Sequence, residues 1–147
     1  MKNIMFLCTG NSCRSQMAEG FCRKYWGSEF NVFSAGTKKH GMNARAMKVM
    51  KEAGVDISSH YSKTVEELPA VKFDYVITVC DAAKETCPYF PGGTIIHVGF
   101  QDPPALTKDM NNEEEILSVY RSVRDEIEAS IKKLPLILGN TNPSSSS

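Results

Sequence analysis

Ile4-Met5-Phe6-Leu7-Cys8-Thr9-Gly10-Asn11-Ser12-Cys13-Arg14-Ser15 is the stretch from which the rest of the chain can be placed. A short apolar run ends in a loop of small and polar residues, and from Ser15 the apolar positions recur at helical spacing. The order is therefore strand, anion-binding loop, helix. Successive backbone N–H groups in such a turn converge. The first helical turn adds unpaired donors and the positive end of its dipole, and Arg14 adds a planar fork of N–H donors. Cys8 stands at the mouth of this ring, where the field that holds an anion also stabilises a thiolate. The expected result is a sulfur nucleophile aimed at a bound oxyanion.

Within the loop, Thr9, Ser12 and Cys13 are further members of the oxyanion-binding ring. Asn11 suits a turn that its side chain ties down, and Gly10 allows backbone conformations that a side chain resists. Ser15 has two readings, an N-cap that holds the helix start or a hydroxyl that donates to the Cys8 thiolate. The spacing lacks the Gly-Lys-Ser/Thr ending of a nucleotide P-loop, which argues against ATP or GTP. Cys8 as a merely buried thiol at a strand end is the plain alternative. It gives no reason for an arginine six residues later.

The 147 residues fit one domain with a core that needs no disulfide staples. The expectation is a single catalytic domain over 1–138 and a disordered tail over 139–147, where Asn, Ser and Pro have nothing to bury. Lys plus Arg and Asp plus Glu both number 17, for a formal charge of +0. That balance points to neither nucleic acid nor an anionic membrane as a main partner. The apolar runs are shorter than a membrane span and the start of the chain lacks signal-peptide pattern, so a cytoplasmic protein is expected, and a monomer. Five cysteines, an odd number without metal-finger spacing, fit free, buried or catalytic thiols better than a secreted scaffold.

In chain order, residues 3–7 form the first strand, and Met17, Ala18, Phe21, Cys22 and Tyr25 mark one face of a helix. Phe30 to Gly36 gives a second strand, and Asn43 caps a helix stopped by Gly54. Thr64 and Glu67 have the spacing of a capping box for a short helix. Phe73 to Val79 is the most strand-like run, and Gly93 to Val98 reads as another strand. Asp102-Pro103-Pro104 is expected to be a rigid surface loop, followed from Asn112 to Leu134 by one long amphipathic helix. Four strands alternating with helices imply an α/β fold, a four-stranded open parallel sheet with helices on both faces. Ligands in such sheets sit beyond the carboxyl ends of the strands, which puts Cys8, Cys80 and Asp102 on one rim.

Cys80 and Cys87 enclose Asp81-Ala82-Ala83-Lys84-Glu85-Thr86. A helical segment of that length, about two turns, holds the thiols too far apart for a disulfide, whose Cα atoms lie within about 7 Å. If the segment unwinds, they can pair, so a redox role requires mobility there. Zinc is the competing idea, with Cys80, Cys87, His97 and Asp102 as eligible ligands. Their spacing is irregular and lacks short-range pairs, so no metal is expected. His40, His60 and His97 are otherwise read as surface or loop residues. Asp102, held by two prolines beside the anion socket, can take up a proton near negative charge and donate it to a departing oxygen. An aspartate opening a turn before proline is the ordinary reading.

Several of these segments together resemble the thioredoxin-coupled arsenate reductases, which have the low-molecular-weight protein tyrosine phosphatase fold. The resemblance is carried by Cys8 to Ser15 with Gln16-Met17-Ala18-Glu19, by Ser34-Ala35-Gly36, and by Val79-Cys80 and Cys87-Pro88. It continues through Gly99-Phe100-Gln101-Asp102-Pro103 and Arg121 to Ile127, and spans about residues 3–134. It implies that Cys8 attacks arsenate, Arg14 clamps its oxygens, Asp102 acts as acid, and Cys80 and Cys87 carry the oxidation away. It also implies that Asn11 and Ser15 tune the loop and the Cys8 thiolate. No tightly bound cofactor is implied, and thioredoxin is the external reductant. Relatives hold potassium with groups matching Asn11, Glu19 and Ser34 plus an aspartate where this chain has Lys63. A lysine cannot ligate a cation, so no potassium requirement is expected. The rival reading is a phosphatase acting on phosphotyrosine or aryl phosphates through Cys8, which needs neither Cys80 nor Cys87. Asp102-Pro103-Pro104-Ala105 also lacks the aromatic pair that follows the acid in phosphatases of this fold. A non-catalytic oxyanion sensor is the third class.

Overall fold

The structure, a computed structural model, describes residues 1–81, 85, 87, 90 and 92–139. Strands β1 (Lys2–Cys8), β2 (Phe30–Gly36), β3 (Tyr75–Thr78) and β4 (Thr94–His97) form one parallel sheet in the order β2-β1-β3-β4. Ile4, Met5, Phe6 and Leu7 are fully buried, as the inner position of β1 between two parallel neighbours demands. Because successive side chains of a strand point to opposite faces, Ile4, Phe6 and Cys8 enter one core while Met5 and Leu7 enter another.

The larger core is closed by α1 (Arg14–Trp26), α2 (Ala44–Glu52), α4 (Glu113–Lys132) and α5 (Leu134–Gly139), which contribute Met17, Phe21, Met50, Tyr120, Ile127 and Leu138 among others. On the opposite face, Ala35, Phe73 and Val76 join Met5 and Leu7. Val65 of the 3-10 turn Val65–Glu67 packs over them with Leu68 and Phe90. The expected open parallel sheet flanked by helices is present. Its α-helices in the larger core lie on one side, and a 3-10 turn with loop aromatics covers the other among the described residues.

Local chemistry sets most element ends. Asn43 and Asn112 each accept a hydrogen bond at 3.0 Å from a backbone N–H three residues on, those of Ala46 and Glu115. Thr64 and Glu67 form the expected capping box. Two elements differ from expectation. Asp102-Pro103-Pro104 opens a short helix, α3 (Pro103–Thr107), because a first helical turn needs no N–H from its prolines and their fixed φ already suits it. The long amphipathic pattern is divided at Lys133, since Pro135 supplies no N–H to continue α4, and the chain restarts as α5. Gly139 closes α5, and residues 140–147 of the expected tail lie outside the described residues. So do 82–84 and 86 of the segment between Cys80 and Cys87, whose mobility was expected. No described helix is long and apolar enough to cross a membrane.

The order β2-β1-β3-β4 has a consequence for ligand binding. The chain leaves β1 toward β2 on one side and later returns to β3 on the other, which opens a crevice above the carboxyl ends of β1 and β3. Cys8 ends β1 and Cys80 lies two residues beyond β3, so both stand at this crevice. The helical cover is what holds the crevice in shape. Replacing the fully buried Phe21 by alanine is expected to cost about 3–5 kcal/mol. The check is a lowered urea midpoint with an unchanged slope.

Candidate functional site

The loop after β1 is held from outside and from within. The carbonyls of Thr9, Gly10 and Ser12 accept hydrogen bonds from the backbone N–H groups of Lys38 (3.0 Å), His40 (3.1 Å) and Asn43 (3.1 Å), which draws them away from the cleft. Asn11 has φ +48°, the left-handed region in which asparagine is among the few tolerated side chains. Its buried amide makes four hydrogen bonds. Nδ2 donates to Ser15 Oγ (2.9 Å) and Ser34 Oγ (3.0 Å), while Oδ1 accepts from Gln16 Nε2 (3.0 Å) and the Lys63 N–H (2.9 Å). Gly10 is needed for a different reason from the one expected. Its φ is not left-handed, but a Cβ there would collide with the His40 ring.

Cys8 Sγ lies 2.9 Å from Ser15 Oγ and accepts the Asn11 N–H at 3.3 Å. Ser15 is inside α1, behind Cys13 at the N-cap, so of its two readings the hydroxyl facing the sulfur is the one realised. Cys8, Gly10, Ser12, Arg14, Glu85 and Asp102 are among the residues lining a cleft of about 590 Å³. Cys8 and Asp102 of the expected rim thus line one cleft, in which Arg14 and Asp102 face each other (Nε to Oδ1, 3.5 Å), while Cys80 is fully buried and not among its lining residues. Burial pushes the Asp102 carboxyl up; Arg14 opposes this and Glu85 adds to it. A raised carboxyl keeps its proton to higher pH, as an acid catalyst requires.

Cys80 and Cys87 are joined in a disulfide with Cα atoms 5.7 Å apart. A ring nitrogen of His97 and the two sulfurs lie within 4.8 Å of one another, and His97 Nδ1 is 2.8 Å from Thr78 Oγ1. Three members of the zinc alternative are therefore together, but sulfurs bonded to each other offer no thiolate, and Asp102 faces Arg14 instead. Cys8, Cys13 and Cys22 are free and buried. Burial pushes the Cys22 thiol up to about 12 and raises Cys13 as well, so neither supplies thiolate at neutral pH.

Two further residues stand beside the expected site residues. His97, expected as a surface or loop residue, is exposed on the edge strand yet beside the disulfide. Glu85, whose only sequence signal is its place two residues before Cys87, binds Arg14 with both carboxylate oxygens (2.6 and 2.9 Å).

Behind the loop, Glu19 is a nearly buried carboxylate with several basic side chains around it. Arg23 Nε is at 2.8 Å, and Lys63 Nζ and His60 Nε2 are each at 4.0 Å. Ser34 donates its hydroxyl to Glu19 and receives one amide N–H of Asn11. Lys63 Nζ also donates to the Tyr61 carbonyl at 3.0 Å and sits 4.8 Å from that ring's centroid. Burial pulls the Lys63 ammonium down, with Glu19 opposing, and burial likewise lowers His60. The oxygens of Asn11, Glu19 and Ser34 are thus engaged by protein donors, and an ammonium faces the carboxylate. A monovalent metal cation does not fit this set.

A family model described as low molecular weight phosphotyrosine protein phosphatase matches residues 3–142. An arsenate reductase of Halalkalibacterium halodurans is 49% identical over 132 residues, covering 89% of this chain and 93% of the relative. An arsenate reductase solved in a phosphate-binding state superposes with a TM-score of 0.70 at 30% identity, over 91% of this chain and 96% of that one. A thioredoxin-dependent arsenate reductase of Corynebacterium glutamicum matches with a TM-score of 0.54 at 25% identity, over 90% of this chain and 62% of that one.

With Lys63 in the cation's place, oxyanion binding or turnover in potassium and sodium buffers of equal ionic strength is expected to be the same. A several-fold potassium preference that disappears on changing Lys63 contradicts this account.

Proposed function

The chain belongs to the low molecular weight phosphotyrosine protein phosphatase family, and we propose that it reduces arsenate to arsenite through Cys8, Cys80 and Cys87, with thioredoxin as the external reductant. One observation carries the reading. A cysteine held among loop donors at the end of β1 is accompanied, beyond the end of the neighbouring strand β3, by Cys80 paired with Cys87. Phosphate ester hydrolysis has no use for the second and third thiols. The similar proteins named as arsenate reductases, one of them as thioredoxin-dependent, support the same choice.

The chemistry follows from the residue types. The Cys8 thiolate attacks arsenic, and Asp102 protonates the departing oxygen, which leaves as water; the product is a covalent sulfur–arsenic adduct. Arg14, Thr9, Gly10, Asn11, Ser12, Cys13 and Ser15 belong to the binding and support of the oxyanion loop. The Cys80 thiolate then attacks the Cys8 sulfur. An S–S bond forms and the S–As bond breaks with its electron pair going to arsenic, so As(V) becomes As(III) and leaves as arsenite. Cys87 attacks Cys80, the Cys8 thiolate departs, and the Cys80–Cys87 disulfide remains. Thioredoxin supplies two electrons and two protons to return both thiols. Cys13 and Cys22 take no part, because burial keeps them as thiols.

The test is arsenite formation with thioredoxin, thioredoxin reductase and reduced nicotinamide, beside hydrolysis of a small aryl phosphate. Wild type is expected to turn over arsenate and to hydrolyse the ester slowly. Cys8→Ser abolishes both reactions, since an alcohol is a far weaker nucleophile than a thiolate. Cys80→Ser stops arsenate turnover and spares ester hydrolysis, because water can resolve a phosphoenzyme but arsenic needs a second thiol. Cys87→Ser yields at most one arsenite per chain. Sustained arsenate reduction by either of the last two variants with thioredoxin alone overturns the relay.

A further inference from the structure

With the disulfide closed, Arg14 is already occupied. Nη1 and Nη2 donate to the two oxygens of Glu85 at 2.6 and 2.9 Å, the parallel two-bond geometry in which a guanidinium also grips an oxyanion. Nη1 donates further to the Phe100 carbonyl at 3.0 Å, and Nε faces Asp102 at 3.5 Å. An entering oxyanion thus meets two carboxylates around one cation, in the cleft that holds Cys8.

Glu85 is set in this position by its own chain. Its backbone N–H donates to the Asp81 carbonyl at 2.9 Å, and its Oε2 accepts the Asp81 N–H at 3.0 Å. Asp81 follows Cys80, and Glu85 precedes Cys87 by two residues. The disulfide fixes the Cα atoms of Cys80 and Cys87 at 5.7 Å. A helical course between them would set these atoms about 10.5 Å apart. The closed disulfide is therefore incompatible with a continuous helix from Cys80 to Cys87, and in this disulfide form the Glu85 carboxylate lies on Arg14.

We propose that Glu85 is a positioning residue of the catalytic cycle: in the Cys80–Cys87 disulfide form its carboxylate takes the Arg14 guanidinium in place of the oxyanion. This rests on the oxyanion reading of the cleft given above. The oxidised enzyme then does not engage fresh arsenate before thioredoxin has acted. Coupling between two sites is reciprocal, so an oxyanion bound at Arg14 makes the disulfide easier to reduce by the same factor.

The probe is inorganic phosphate, which fills an oxyanion site without being reduced. Its dissociation constant is measured by calorimetry on the full chain in the dithiol and disulfide forms, with thiol counting to confirm each state. Wild type is expected to bind phosphate about 5- to 150-fold more weakly when oxidised. Glu85→Gln removes the charge and brings the ratio toward one, and Glu85→Ala does so if the glutamine amide still reaches Arg14. As a readout that a merely structural role would not move, saturating phosphate raises the reduction potential of Cys80–Cys87 in wild type by about 30 mV per tenfold of coupling. That shift is lost in the variants. Equal phosphate affinity in both redox forms of wild type, or a ratio that neither variant changes, overturns the Glu85 assignment alone. Absence of phosphate binding to the reduced protein overturns the oxyanion reading of the cleft and the assignment with it.

Discussion

The site depends on the amide of Asn11 more than on any other single group. A buried side-chain amide has two donors and one acceptor oxygen to satisfy, and here both sides are used on Ser15, Ser34, Gln16 and Lys63. Those four partners come from the start of α1, the end of β2 and the connection before the 3-10 turn. The same residue holds a left-handed backbone that turns its own N–H onto the Cys8 sulfur. One residue therefore ties three separate segments to the loop and aims a donor at the nucleophile. Ser15 completes the arrangement, because it receives an Asn11 N–H while its oxygen lies against the sulfur.

Electrostatics divides the neighbourhood into two halves. In front of the loop, one guanidinium, Arg14, is shared between Glu85 and Asp102. Behind the loop, one carboxylate, Glu19, has Arg23, Lys63 and His60 around it. Buried charges persist only when paired, and each half is paired internally. Lys63 thereby sets an ammonium of the chain itself toward the Glu19 carboxylate.

Much of this was legible from residue order. The alternation of Ile4 to Leu7 with the glycine and polar loop after it gave the strand, the anion loop and the helix, and three elements with Asn43, Thr64 and Asn112 at their heads began where capping chemistry predicts. The errors came where one rule can serve two structures. Proline after Asp102 forbids a helix interior and equally favours a first helical turn, and the second effect won. Pro135 lies just past the apolar period that ends at Leu134 and supplies no N–H to continue α4, and the short α5 that follows was not read. Gly10 was explained by backbone freedom when the constraint was the His40 ring. Glu85 could not be read, since its contact with Arg14 arises only in the folded chain, and His97, read only as an alternative zinc ligand, comes beside the disulfide through the pairing of β3 with β4. No local pattern encodes either.

The central claim is that the oxidation passes from Cys8 to Cys80 to Cys87 in that order. It is tested most directly by giving the reduced wild-type protein one equivalent of arsenate, quenching with acid over time, and mapping peptides by mass spectrometry under non-reducing conditions. The account predicts a Cys8–Cys80 disulfide that appears first and decays as Cys80–Cys87 accumulates in step with arsenite. A disulfide containing Cys13 or Cys22, or Cys80–Cys87 formed by arsenate in a chain whose Cys8 is blocked by alkylation, would contradict it.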